Sequence, residues 1–92
     1  RSPLRLRFEE DSLHITCTTS LGKAYDEVPC HIEGNALEMG FNNKYVLDAL
    51  RAADCDEICL QISGPLSPMK LVPPEGDSFL FLVLPVRLKT EQ

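Results

Sequence analysis

The chain has 92 residues, 43% hydrophobic and 25% charged, with a net charge of −5. That length allows one small domain with a modest core, the apolar share excludes a disordered chain, and the acidic balance excludes a protein whose whole surface grips nucleic acid. No apolar run approaches the ~20 residues needed to span a bilayer, and Arg1–Arg7 lacks the apolar core of a secretory signal, so a cytosolic chain with reduced thiols is expected.

Leu4, Leu6 and Phe8 alternate with Arg5 and Arg7, the pattern of a half-buried strand. Glu9–Ser12 is a polar turn, and Leu13, Ile15 and Cys17 alternate again, which predicts a hairpin. Lys23–Ile32 predicts a third strand with Val28, Cys30 and Ile32 on one face, and Pro29 inside it implies an edge strand or a bulge. After the turn at Glu33-Gly34-Asn35, Leu37, Met39 and Phe41 predict a fourth strand.

The period then changes. Val46, Leu47, Leu50 and Ala53 share one face of a helix, opposite Lys44, Asp48 and Arg51, and Asn42 or Asn43 can cap its start. Ile58, Leu60 and Ile62 predict a fifth strand, and Met69 and Leu71 belong to a sixth. The last is Phe79–Leu84, apolar throughout and therefore expected to be covered on both faces; Pro85, with no N–H to donate, should end its ladder. The order predicts an α+β domain, a mostly antiparallel sheet with one helix on one face.

No catalytic constellation is visible. The five glycines are scattered at turns rather than gathered in a phosphate loop, and the carboxylates fall at turns and on exposed strand faces. The four cysteines, Cys17, Cys30, Cys55 and Cys59, lack the knuckle spacing of a zinc site and read as free thiols. His14 and His31 read as solvent-face strand residues. A small cytosolic metal or redox protein using the cysteines is the alternative to a binding module.

Two segments are more specific. One is Gly40-Phe41-Asn42-Asn43-Lys44-Tyr45-Val46-Leu47-Asp48-Ala49-Leu50; the other is Ser63-Gly64-Pro65-Leu66-Ser67-Pro68, followed downstream by Leu82-Val83-Leu84-Pro85-Val86-Arg87-Leu88. In this order they resemble the final domain of the bacterial DNA polymerase III β subunit, the sliding clamp, and the resemblance extends more loosely back to about Leu4. It implies a DNA-clamp-like partial domain over residues 1–92, one that lacks the first strand and helix with which the family's domain opens.

The resemblance also implies a non-catalytic processivity factor that needs no cofactor. In the family a cleft binds a short peptide, a glutamine followed by leucine and phenylalanine. Its bearers are the polymerase III α subunit, the clamp loader, and other polymerases and repair proteins. By motif the cleft would include Asn42, Tyr45, Leu66, Pro68, Leu82, Val83, Leu84, Pro85, Val86 and Arg87. Leu66, Val83, Leu84 and Val86 would supply apolar walls and Pro85 would fix the direction of the tail. The family's channel helices face duplex DNA with basic residues. Lys44 and Arg51 occupy one helical face as such a contact requires, with Asp48 diluting their potential. DNA would be held only in the full ring, a homodimer whose joint the strand Lys23–Ile32 would help to form.

Overall fold

The computed structural model describes residues 3–88. Among these, eight strands and one helix follow in the order β1 (Leu4–Glu9), β2 (Ser12–Thr19), β3 (Gly22–Pro29), β4 (Leu37–Phe41), α1 (Asn43–Ala53), β5 (Cys59–Gln61), β6 (Met69–Val72), β7 (Phe81–Val83) and β8 (Pro85–Val86). The strands form a five-stranded sheet, β3-β2-β1-β4-β8, and a three-stranded sheet, β5-β6-β7. Every pairing is antiparallel. The α+β class with one helix is as predicted, but the pairing is divided between two sheets.

β1 sits in the middle of the larger sheet and decides its two faces. Leu4, Leu6 and Phe8 point into the core while Arg5, Arg7 and Glu9 are half-buried on the other side. The strand's period of two puts every second residue on one face, so alternation in the sequence becomes a sided sheet. On the outer face Arg5 meets Glu38 at 3.3 Å and Arg7 meets Glu9 at 2.7 Å. The β1–β2 turn is the two-residue Glu10–Asp11, both with positive φ, 56° and 55°. That backbone matches the twist of a tight hairpin. One core unites both sheets and the helix: Leu4, Leu6, Phe8, Met39, Phe41, Val46, Ala49, Met69, Leu71 and Val83.

Three local expectations are corrected. β3 ends at Pro29 rather than running to Ile32, because Asp11 captures the following segment: its carbonyl accepts the N–H of Cys30 at 3.1 Å and its Oδ1 that of Ile32 at 2.9 Å. Pro29 is therefore a terminal residue of an edge strand, where a missing N–H costs little. The buried stripe of α1 is Val46 and Ala49 with Ala53 half-buried, and Leu47 and Leu50 remain exposed. The helix is rotated so that small Ala49, rather than Leu50, faces the sheet.

The third correction concerns Phe79–Leu84. Only Phe81–Val83 is strand, and it is an edge of the smaller sheet rather than covered on both faces. Val83 enters the core at 4% exposure, whereas Leu82 and Leu84 stand 58% and 70% exposed. An unbroken apolar run carries no period, so the residues alone did not reveal which side faces out. Nor does Pro85 end pairing. At Leu84 the chain leaves the smaller sheet, and Pro85 and Val86 pair with Phe41 and Gly40 at the edge of the larger one.

Candidate functional site

The end of β4 and the start of α1 are set by one side chain. Asn42 has extended backbone (φ −71°, ψ 121°) and its Oδ1 accepts the N–H of Lys44 at 2.9 Å. Its carbonyl accepts from Tyr45 at 3.1 Å and from Val46 at 3.3 Å. The bonds to Lys44 and Tyr45 satisfy first-turn donors that a helix cannot satisfy itself, and the bond from Val46 is the first of the helix's own ladder. Tyr45 lies in that first turn, exposed, one position from buried Val46. At the far end Asp54 adopts left-handed backbone (φ 51°) and donates its N–H to the Leu50 carbonyl at 3.2 Å.

Opposite the helix start runs the strand switch at Leu84. Between them opens a hollow of about 600 Å³, lined by Asn42, Tyr45, Asp48, Ala49, Leu80, Phe81, Leu82, Val83, Leu84, Pro85 and Val86. Its size is ordinary for a ligand pocket, and its make-up is too, with mainly apolar walls and a few polar groups at the edge. The hollow therefore brings together Asn42, Tyr45, Leu82, Val83, Leu84, Pro85 and Val86 of the expected residues. Its lining does not include Leu66, Pro68 or Arg87, all three of which are exposed. Leu66 and Pro68 belong to the connection between β5 and β6, folded by a bond from Ser67 N–H to the Gly64 carbonyl at 3.2 Å. Val83 meets the hollow from the core side, since its side chain is buried.

Asp48, Ala49, Leu80 and Phe81 line the hollow without having been expected there. Two signals pointed to three of them, and none to Phe81. Asp48 and Ala49 lie one turn beyond Tyr45 on the helix, and Leu80 continues the every-second-residue row of Leu82 and Leu84.

Lys44 Nζ meets Asp48 Oδ2 at 2.8 Å, a helical i,i+4 pair at the mouth of the hollow. Its pKa is raised, first by the hydrogen bond to Asp48 and then by that carboxylate's charge. Lys44, though exposed, is thus balanced locally by Asp48, and Arg51 in the last turn is a second exposed cation of the helix. There its charge also opposes the negative end of the helix dipole.

The cysteines do not converge. Cys17 is on β2, Cys30 follows β3, Cys55 follows α1 and Cys59 is on β5; all four are free. Among the described residues no three or more His, Cys, Asp or Glu side chains are grouped as a metal would need. His14, half-buried on β2, bonds to the Tyr25 hydroxyl at 2.6 Å and is a sheet-face residue as expected. A second hollow of about 330 Å³, lined by Glu9, Glu10, Asp11, Ile32, Gly34 and Ala36, lies at the opposite end of β1. Two of those groups are already used, Glu9 by Arg7 and Asp11 by the Ile32 N–H.

The described residues thus form a two-sheet antiparallel domain with an apolar hollow between a helix start and a strand switch. Residues 1–87 match the family model for the DNA polymerase III beta subunit, C-terminal domain. A beta sliding clamp of Staphylococcus aureus is 35% identical over 86 residues, 91% of this chain and 23% of that protein. The crystal structure of the DNA polymerase III beta subunit of Thermotoga maritima superimposes with a TM-score of 0.87 at 28% identity, over 94% of this chain and 24% of that one. A sliding clamp of Bartonella birtlesii, solved bound to griselimycin, gives a TM-score of 0.84 at 26% identity over 92% of this chain and 23% of that one. The chain belongs to the family formed by the C-terminal domain of the DNA polymerase III beta subunit, and it spans about a quarter of the length of the relatives it matches.

Proposed function

We propose that this chain is the peptide-docking part of a bacterial sliding clamp, a processivity factor that tethers its partners to DNA without catalysing a reaction. The observation that carries the reading is the hollow between Asn42–Tyr45 and Leu82–Val86. Its exposed leucines suit the leucine and phenylalanine of an extended peptide, and Asn42 and Tyr45 offer polar groups for the preceding glutamine. The partners are the polymerase III α subunit, the clamp loader, and other polymerases and repair proteins. The Bartonella relative, solved with griselimycin bound, supports a ligand-binding role for this fold.

The remaining roles belong to a larger assembly. β3 is an edge strand with every residue exposed, and it is our candidate for the joint with the partner subunit's first domain in a homodimeric ring. Because Pro29 is terminal, the ladder is open from Gly22 to Val28. Residues 1–92 are read as part of the final domain. Duplex DNA is encircled only by the complete ring, in the bacterial cytoplasm, with Arg51 the better candidate contact than Lys44.

The test is a fluorescence-anisotropy titration of the chain with a labelled peptide carrying glutamine followed by leucine and phenylalanine. Binding that falls at least about tenfold in Tyr45→Ala and Leu84→Asp supports the reading. No binding, or equal binding by both variants, overturns it.

A further inference from the structure

Gly40 is out of place by propensity. It sits inside β4, where glycine loses the most backbone freedom on folding and contributes no side chain to the sheet. Met39 and Phe41 on either side point into the core, so a side chain at Gly40 would stand on the outer face of the sheet. That space is taken. A Cβ built on Gly40 would lie 2.5 Å from Leu88 Cδ2, 3.0 Å from Leu88 Cγ and 3.2 Å from the Val86 carbonyl oxygen. The first of these is closer than real carbon atoms approach, so the end of the Leu88 side chain would have to shift, and the contact with the Val86 carbonyl would be tight by a few tenths of an ångström.

We propose that Gly40 is a positioning residue for the peptide hollow: its missing side chain is the seat into which Leu88 folds, and this contact holds β8 against β4. Gly40 pairs with Val86 and Phe41 with Pro85. One position further, Asn42 caps α1 and lines the opposite side of the hollow. A single short segment, Gly40 to Tyr45, thus places both walls, gripping the tail with its first residue and starting the helix with its third. Filling the seat with one methyl group would shift Leu84–Val86 relative to Tyr45 while leaving every side chain that lines the hollow unchanged. The inference rests on the reading of that hollow as a peptide site.

The test is a double-mutant cycle in the 92-residue chain, using the labelled peptide above together with thermal melts and amide hydrogen exchange. Gly40→Ala should weaken peptide binding by roughly tenfold or more. Gly40→Ala/Leu88→Ala should bind as well as Leu88→Ala alone, because without Leu88 the added methyl meets no side chain. A Gly40→Ala effect of the same size with and without Leu88, or no effect at all, overturns the inference. Leu88→Trp crowds the same seat from the tail and leaves β4 unchanged, so it serves if Gly40→Ala does not fold. Weakened binding with an unchanged melt supports the seat, and unaltered binding overturns it. If even the unmodified chain fails to bind, the peptide reading falls, and exchange decides the seat alone. Faster exchange along β4–β8 in Gly40→Ala, reversed in the double variant, upholds it; unchanged exchange overturns it.

Discussion

The side-chain Oδ1 of Asn42 accepts the backbone N–H of Lys44 at 2.9 Å, so the residue that ends β4 also starts α1 and lines the hollow. Its two duties can be separated. Asn42→Ala removes the cap and should cost ~1 kcal/mol of stability, read as a lower urea midpoint at constant slope. Asn42→Asp keeps an acceptor at the cap and should leave the midpoint nearly unchanged. It also replaces the amide's donors with a carboxylate in the hollow, so a loss of peptide binding in both variants, with the midpoint lowered only in Asn42→Ala, would assign the amide to the ligand.

Phe41 is the next test, because its ring is fully buried between the two sheets' shared core while its backbone pairs with Pro85. Phe41→Ala should cost ~3–5 kcal/mol, the sum of lost transfer energy and the cavity left behind. In a domain of this size that is a large part of the total, so the variant should be substantially unfolded at room temperature by circular dichroism. Tyr45→Ala, which removes an exposed ring, should melt within a few degrees of the unmodified chain. Equal melting of the two variants would mean that the core is not where the buried residues place it.

Asp11 joins the β1–β2 hairpin to the segment after β3 and does so from left-handed backbone, φ 55°. Asp11→Ala loses the bond to the Ile32 N–H and also puts a Cβ-bearing residue without a local acceptor in that conformation. A cost of ~1–2 kcal/mol is expected. Asn at the same position tolerates left-handed backbone and retains an oxygen acceptor, so Asp11→Asn should recover most of the loss in a urea titration.

Much of this architecture was legible from the residues. The alternation of Leu4, Leu6 and Phe8 against Arg5 and Arg7 announced a one-sided strand, and Asn42 ahead of an apolar helical period announced a capped helix. The strand switch at Leu84 was not legible, because a proline that stops one ladder and a proline that begins another look the same in sequence. The face of α1 was misjudged because its leucines outweigh its alanines in hydrophobicity, while the close approach of helix to sheet selects the small Ala49. At the site, Tyr45 and Leu82–Val86 line one hollow because the chain passes from the smaller sheet to the larger at Leu84. Leu66 and Pro68 did not join them, because adjacency of motifs along the chain fixes no distance in space.

Cys30 gives a pH-dependent prediction. It is half-buried just after β3, and burial first, then the Asp11 carboxylate, push its thiol pKa upward. The folded chain therefore holds this proton at pH values where the unfolded chain has released it. The stability that Cys30 supports is intact below the ordinary thiol pKa and declines as pH rises through the interval up to the raised value. The site is mostly solvated, so the change should stay under ~1 kcal/mol, and Cys30→Ser should abolish that part of the pH slope. The same shift predicts an order of modification. At about pH 8.5, near the ordinary thiol pKa, iodoacetamide should alkylate exposed Cys55 and Cys59 before Cys30, as followed by peptide mass spectrometry. Alkylation of Cys30 first would show that its thiol is neither shielded nor held protonated by Asp11.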